Sequence, residues 1–131
     1  MAQREAKKPT TRRKKAVRIP TQVQRALDAI GDKKGEDVAL LDLRKAGGFT
    51  DFFVLCSGAN ARQNRAIADA VLEALAAAGA KPSHIEGYDR SEWILIDFFD
   101  FIVHVFARET RLFYGLERLW GNAERVALGD A

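Results

Sequence analysis

The sequence predicts a single domain of the α/β (α+β) class, in which one mixed β-sheet is flanked by helices. Its 131 residues correspond to the size of one domain. Helical and strand-like segments follow one another in the order α-β-β-α-β-β-β-α, which favours one sheet covered by helices. Hydrophobic residues make up 47% and charged residues 30% of the chain, and this balance excludes a wholly disordered protein.

The first half of the domain predicts one helix followed by two strands. Apolar residues recur at helical spacing up to Gly31, which ends the helix: Val23, Ala26, Leu27 and Ile30. A short strand is predicted over residues 36–42. Residues 52–56 predict a second, buried strand that ends before Ser57-Gly58.

A long helix is predicted between residues 60 and 78. Asn60 suits its N-cap, and Gly79 suits its C-terminal stop. Apolar side chains share one side of the helical wheel: Ile67, Val71, Ala74, Leu75 and Ala78. Charged side chains share the opposite side, so we expect this helix to pack one face on the sheet.

The second half of the domain predicts three strands and a last helix. The strand over 83–88 is weak, those over 93–97 and 101–106 are strong, and the helix covers 108–120. One stripe of that helix is apolar and is expected to lie in the core: Leu112, Phe113, Leu116, Leu119 and Trp120. Tyr114 falls nearly opposite this stripe, where a tyrosine suits contact with a partner protein.

The two strong strands predict a β-hairpin with Phe98-Phe99 as its two-residue loop. That register pairs Asp97 with Asp100 and Trp93 with His104. One face of the hairpin is then wholly apolar and belongs to the core: Ile94, Ile96, Phe101, Val103 and Val105. The other face is mixed and is predicted to be partly open: Trp93, Leu95, Asp97, Asp100, Ile102 and His104. A slip by one residue would exchange the faces of one strand.

The distribution of charge divides the chain into three parts. Residues 1–18 carry eight basic side chains and one acidic one, whereas the remainder carries 13 basic and 17 acidic ones. We therefore predict a disordered basic N-terminal arm over residues 1–19, a folded domain over 20–123 and a frayed tail over 124–131. The arm either binds nucleic acid through counterion release or serves as a solubilising extension.

Several kinds of chemistry find no support in the sequence. No apolar run approaches the ~20 residues that cross a bilayer, so no membrane partner is predicted. Cys56 ends an apolar strand and is predicted to be a buried, unreactive thiol, in keeping with a reducing, cytoplasmic location. No Cys/His cluster has metal-ligand spacing, and no glycine-rich phosphate loop is present. Asp42 and Asp51 both lack the second carboxylate that a metal-dependent active site requires.

Four stretches carry a pattern that extends over most of the domain. They read FTDFFVLCSG (49–58), WILID (93–97), VHVF (103–106) and RLFYGLERLW (111–120). With shorter matches at 62–63, 67–69 and 86–87, their order and spacing cover roughly residues 22–123. This pattern resembles the Iojap family, also called the ribosomal silencing factor (RsfS) family.

The resemblance implies a fold similar to nucleotidyltransferases without their catalytic carboxylates, and therefore neither enzyme activity nor a cofactor. It implies binding to the large ribosomal subunit through its fourteenth protein, which sterically prevents the small subunit from joining and represses translation. It also implies a homodimer in isolation. The chain departs from the family in two places: Phe99-Asp100 replaces a usual Gly-Asp turn, and Gly121-Asn122-Ala123 follows the terminal Leu-Trp in place of Asp-Ala.

Resemblance and face geometry together predict five partner-binding residues: Trp93, Asp97, Asp100, His104 and Tyr114. Trp93 and Tyr114 are expected to be desolvated anchors, and the two aspartates are expected to meet basic groups. His104 has either a structural role or an interface role beside Trp93. Two alternative functions stay open, namely a metal-dependent nucleotidyltransferase-like enzyme, favoured by fold analogy alone, and an RNA-binding module that acts through the arm and contacts ribosomal RNA.

Overall fold

The computed structural model describes residues 18–47, 49–119, 121 and 123–128. Nearly all of the predicted basic arm therefore lies outside the described residues. Four helices are described: α1 (Thr21–Asp32), α2 (Ala61–Ala77), α3 (Arg108–Tyr114) and α4 (Leu116–Leu119). Six strands are described: β1 (Glu36–Asp42), β2 (Phe52–Gly58), β3 (His84–Glu86), β4 (Trp93–Asp97), β5 (Phe101–Ala107) and β6 (Glu124–Val126).

The strands form one mixed sheet, which confirms the predicted fold class. Their spatial order is β3-β4-β5-β2-β1-β6. β2 and β5 are parallel, and every other neighbouring pair is antiparallel. All seven residues of β2 are buried, because a central strand of a sheet covered on both faces needs apolar side chains on both sides.

The two long helices cover one face of the sheet. Their buried side chains recur at helical spacing and meet the apolar face of the hairpin: Val23, Ala26 and Ile30 from α1, Ile67, Val71 and Leu75 from α2, and Ile94, Ile96, Val103 and Val105 from the strands. Both helices and the predicted core face of the hairpin are thus confirmed. Among the described residues, no helix is long and apolar enough to cross a membrane.

The N-terminus of α2 begins at the predicted cap. The Asn60 side chain accepts a hydrogen bond from the Gln63 backbone N–H at 2.8 Å. In return, Gln63 Oε1 accepts from the Ala59 backbone N–H at 2.7 Å. Two backbone donors at the start of the helix are therefore satisfied by side chains, which fixes where α2 leaves the end of β2.

The register of the β4–β5 hairpin differs from the predicted one by two residues. Trp93 lies opposite Phe106, and Asp97 lies opposite Ile102. The predicted pairs Trp93–His104 and Asp97–Asp100 are therefore wrong. A shift of two residues keeps every side chain on its predicted face, since side chains alternate along a strand with period two.

The register follows from a tight turn at Phe99. The Asp100 backbone N–H donates to the Phe98 carbonyl at 3.0 Å, which gives Phe99 a φ of 77°. The neighbouring loop ties this turn down, since Thr50 Oγ1 donates to the Phe99 carbonyl at 2.8 Å. The Asp51 backbone N–H likewise donates to the Asp100 carbonyl at 2.9 Å. The hairpin therefore has a two-residue loop, as predicted, but the loop is Phe99-Asp100 rather than Phe98-Phe99 and contains no glycine.

The C-terminal region corrects two predictions. The predicted last helix is broken at Gly115, which takes a left-handed conformation (φ 58°, ψ 46°) and separates α3 from α4. Residues 124–126 form a strand rather than part of a frayed tail. Val126, opposite Leu40, covers the edge of the main core and is 8% exposed, which gives this segment a reason to be ordered.

The strain at Phe99 predicts that Phe99→Gly raises the free energy of unfolding by about 1 kcal/mol, because a left-handed backbone costs a side chain with a Cβ roughly that amount. Phe99 is 79% exposed, so little apolar contact is lost. Urea unfolding monitored by circular dichroism measures the effect. Phe99→Ala is the matched control, since it removes the ring and keeps the Cβ. Equal effects of the two substitutions would contradict the assignment of the strain to the backbone.

Candidate functional site

Trp93 is the centre of an aromatic group on the sheet face opposite α1 and α2. Its ring centroid lies 5.0 Å from that of Phe106, its cross-strand neighbour, and 4.8 Å from that of Tyr114 in α3. The indole Nε1–H donates to His104 Nδ1 at 3.0 Å. Trp93 itself is half-buried. We call Trp93, His104, Phe106 and Tyr114 the Trp93 cluster.

His104 lies beneath Trp93 and does not reach the surface. It is 3% exposed and packs edge-on against Phe53, with ring centroids 4.7 Å apart. Burial lowers the pKa of His104 to about 3, so the ring is neutral near pH 7. Because Nδ1 accepts from Trp93, the proton belongs on Nε2. The contact predicted between His104 and Trp93 is present, but it comes from a hydrogen bond across the corrected register.

The unused nitrogen of His104 is a further feature of this site. Nε2 is buried and has no hydrogen-bond partner among the described residues. An unpartnered donor costs free energy, and the site tolerates that cost while it keeps the indole oriented. Of the two roles left open for His104, the geometry supports the structural one, in which the ring holds the Trp93 indole. Direct contact with a partner stays a prediction.

Tyr114 is the last residue of α3 and contacts Trp93 just before the break at Gly115. It is 48% exposed, so one side of the ring packs and the other is open. The predicted stripe of the last helix is wrong in this region, because Leu112 and Phe113 are both 79% exposed. Both residues precede Gly115, so α3 itself presents them to solvent. Phe113 contacts Tyr114, with ring centroids 5.1 Å apart.

A buried arginine holds the two short helices in place. Arg111 donates to both carboxylate oxygens of Glu117, at 3.1 and 3.0 Å, and to Ser57 Oγ at 3.2 Å. The Arg111 side chain is 10% exposed. This ion pair lowers the pKa of Glu117, with Arg111 as the main cause. The two-point contact joins α3 to α4 and to the end of β2, and so fixes the position of Tyr114.

The two predicted aspartates lie at the far end of the same strand face. Asp97 is half-buried, and its Oδ1 accepts from the Phe99 backbone N–H at 2.7 Å. Asp100 is exposed in the turn. Trp93, Leu95 and Asp97 alternate on one face of β4, so the aromatic and acidic ends are about 13 Å apart at ~3.3 Å per residue. The structure therefore brings Trp93, His104 and Tyr114 together and leaves the aspartates as a separate group.

Two exposed phenylalanines beside the aspartates were missed by the sequence reasoning. Phe49 is 77% exposed and contacts Phe53 edge-on at 6.3 Å, and Phe99 is 79% exposed. Both flank the turn that carries Asp100. A signal was available in the sequence, since Phe49 follows two glycines and Phe99 sits in a predicted turn, where apolar rings have no core to enter.

Other reactive groups are engaged in the structure of the domain. Cys56 is fully buried, and desolvation raises the pKa of its thiol to about 12, as expected of an unreactive cysteine. Asp42 forms an ion pair with Arg44 at 2.7 Å, which lowers the pKa of its carboxyl. In the part of the chain that the structure describes, no group of three or more His, Cys, Asp or Glu residues could hold a metal ion.

Fold and site together define a small α+β domain with a packed aromatic surface on one face of a mixed sheet. Residues 16–131 match the family model described as "Ribosomal silencing factor during starvation". The chain belongs to this ribosomal silencing factor (RsfS) family, which confirms the resemblance seen in the sequence.

Individual relatives agree with this assignment. The chain is similar to "Ribosomal silencing factor RsfS" of Halalkalibacterium halodurans, with 39% identity over 106 residues, 81% of this chain and 91% of the relative. A crystal structure of a protein from Chromobacterium violaceum superposes with a TM-score of 0.75 at 31% identity, covering 84% of this chain and 91% of that one. A mouse relative, 28% identical, is named "Mitochondrial assembly of ribosomal large subunit protein 1"; the match covers 67% of this chain and 40% of that protein.

The buried imidazole predicts a specific dependence of stability on pH. The pKa of His104 is about 3 in the folded protein and ordinarily 6.5, so below pH 6.5 the unfolded chain takes up a proton that the folded chain refuses. The free energy of unfolding should therefore fall by up to about 1.4 kcal/mol per pH unit as the pH drops from 6.5 towards 4.5. Urea unfolding at several pH values measures this slope.

His104→Gln is the matched variant, since its amide oxygen can accept from Trp93 without titrating. We expect its stability to change much less over the same interval. The lowered pKa values of Asp42 and Glu117 act mainly below about pH 5, because the ordinary pKa values of these carboxyls are 3.8 and 4.5, and they act equally in both proteins. Parallel pH curves for the two proteins would show that His104 is not the group responsible.

Proposed function

We propose that this protein is a ribosomal silencing factor that binds the large ribosomal subunit through its fourteenth protein and blocks association with the small subunit. Family membership and the names of the relatives support a ribosome-associated role. Those relatives are named as silencing factors and not as enzymes, so we propose a non-catalytic mechanism in the cytoplasm. The observation that carries the proposal is the Trp93 cluster, an oriented aromatic surface with one side open.

The Trp93 cluster has the composition of an interface centre. Tryptophan and tyrosine combine large contact areas with a polar tip, and they are enriched where proteins dock. Trp93 is half-buried and Tyr114 is 48% exposed, so each ring has area left for a partner to bury. The exposed ring of Phe113 contacts Tyr114, with centroids 5.1 Å apart, and enlarges the apolar surface. In the isolated protein a second copy could bury the same area, which is how we account for the predicted homodimer.

Preorganisation makes this surface suited to binding. The hydrogen bond to His104 holds the Trp93 ring at its Nε1, and Tyr114 lies against the ring with centroids 4.8 Å apart. A side chain that is already ordered loses less conformational entropy on association. His104 therefore contributes to docking through the orientation of Trp93.

The acidic end of the surface, formed by Asp97 and Asp100, would help to set the orientation of a bound partner. Asp100 is exposed, and Asp97 has Oδ2 without a hydrogen bond in the described part of the chain. Carboxylates at the rim of an interface favour a partner that presents basic groups. An aromatic anchor at one end and carboxylates at the other would set one orientation on the partner protein.

The proposed mechanism is competition for a surface. A factor bound on the intersubunit side of the large subunit removes that surface from the association equilibrium. Such a ligand shifts the equilibrium by its own binding free energy at the prevailing concentration. No chemical step is required, and the strength of silencing then follows the occupancy of the site.

Trp93→Ala is expected to weaken binding to purified large subunits by about 2 kcal/mol or more, roughly a 30-fold rise in Kd, because the central anchor of the interface is removed. Co-sedimentation measures the affinity. Light scattering of mixed subunits measures whether the protein suppresses their association. Ile85→Ala is the matched control, since Ile85 is 40% exposed and pairs with Ile96 on the opposite sheet face.

Tyr114→Ala is a second test of the same surface, in case Trp93→Ala fails to fold. Tyr114 is partly exposed and makes no hydrogen bond through its side chain in the described structure, so its loss should disturb the fold little. Both variants should retain the circular dichroism of the parent protein. Unchanged affinity in both would remove the Trp93 cluster from the interface. Subunit association that proceeds undisturbed in the presence of the parent protein would contradict the silencing mechanism.

The basic arm is proposed to contact ribosomal RNA. Deletion of residues 1–18 removes eight of the 21 basic side chains, so the slope of log affinity against log salt concentration should become shallower. Binding through the Trp93 cluster should persist at low salt. Co-sedimentation between low and moderate salt measures the slope. An unchanged slope would show that the arm makes no phosphate contact, and equal affinity for naked RNA and whole subunits would favour an RNA-binding module.

A further inference from the structure

A concave surface distinct from the Trp93 cluster lies between the end of β2 and the C-terminal elements. It encloses about 490 Å³. Four arginines from three elements line it: Arg108 and Arg111 of α3, Arg118 of α4 and Arg125 of β6. We call this feature the arginine cleft. Guanidinium groups from three elements converge here because the break at Gly115 folds α4 back towards α3.

The positive charge of the cleft is only partly neutralised. Glu117 is shared by two arginines, with Arg111 at 3.0 Å and Arg125 at 3.2 Å. Arg108 pairs with Glu36, which lies outside the lining of the cleft. Arg118 has no ion pair in the part of the chain that the structure describes. Asp37 is the second acidic residue of the lining. With Glu36 counted as the partner of Arg108, four arginines face three acids, an excess of one.

A buried hydroxyl adds a donor to the wall of the cleft. Ser57 is 1% exposed, and its Oγ accepts from Arg111 Nη1 at 3.2 Å. Its own O–H has no acceptor among the described residues. A buried donor without an acceptor is uncommon in a folded protein. Within this cleft, the missing partner would be an oxygen atom supplied by a ligand.

We propose that the arginine cleft binds phosphate groups. A terminal phosphate offers three oxygens and up to two negative charges, whereas a phosphodiester of a nucleic-acid backbone offers two free oxygens and one charge. Both can accept from guanidinium groups and from a hydroxyl. A carboxylate offers two oxygens and a single charge, and Glu117 already occupies that role for Arg111 and Arg125. The arginine excess is therefore matched best by a terminal phosphate, and a backbone phosphate would supply the same kind of oxygen with a single charge. This inference rests on the cleft alone and goes beyond the proposed function.

Two sources could supply such a group, namely the backbone of RNA and a free phosphate compound. Full-length protein at low salt is titrated calorimetrically with inorganic pyrophosphate and, separately, with a ten-nucleotide oligouridylate. Arg118→Gln is the principal variant, because Arg118 has no described ion pair whose loss would disturb the fold. We expect affinity to fall about tenfold, as for the loss of one charge-assisted contact.

Arg90→Gln and Lys14→Gln are controls that remove the same charge elsewhere, the first from an exposed loop of the domain and the second from the basic arm. We expect both to stay within twofold of the parent. Loss of pyrophosphate binding in Arg118→Gln alone supports a site for a free phosphate compound. Loss confined to the oligouridylate supports a contact with the RNA backbone.

Three outcomes would overturn the proposal. The first is that neither probe binds the parent protein. The second is an equal loss in all three variants, which would reduce the effect to net charge. The third is binding of an oligoglutamate as tight as that of the phosphate probes, which would indicate a site for an acidic peptide. None of these measurements depends on ribosomal subunits, so they leave the proposed silencing role to its own test.

Discussion

The architecture depends on burying both faces of the central parallel pair formed by β2 and β5. Every residue of β2 is buried, as are six of the seven residues of β5. The long helices α1 and α2 satisfy one face with ordinary helix-on-sheet packing. The other face has only the short helices α3 and α4 and its own aromatic side chains for cover. The aromatic surface thus arises where the fold has the least secondary structure available.

His104 shows how this constraint becomes a functional property. An imidazole on a buried strand face has to be neutral, since a charge there would lack both solvent and a counterion. A neutral ring with a free Nδ1 can accept, and Trp93 supplies the donor. The buried imidazole of His104 is therefore the group that orients the partly exposed indole of Trp93. Stability and recognition are coupled through a single hydrogen bond.

Much of the fold could be predicted because its signals are local. Periodicity located α1 and α2, the Asn60 cap located the start of α2, and alternation assigned both faces of the hairpin correctly. The register was missed because nothing in the local sequence predicts a positive φ at Phe99. That conformation is held by a hydrogen bond from Thr50, which lies in another loop. The exposure of Leu112 and Phe113 was missed because helical periodicity alone does not show which face of α3 meets the sheet. Likewise, Arg111, Ser57 and Glu117 meet only in the tertiary structure.

The sheet ends on either side in a strand of three residues, β3 at one margin and β6 at the other. Such short margins expose few free backbone groups, so they offer little template for a neighbouring chain to add a strand. Self-association by sheet extension is thereby disfavoured in a protein that exposes several aromatic rings to solvent. We therefore expect its complexes to form through side-chain contacts, which single substitutions can alter one residue at a time.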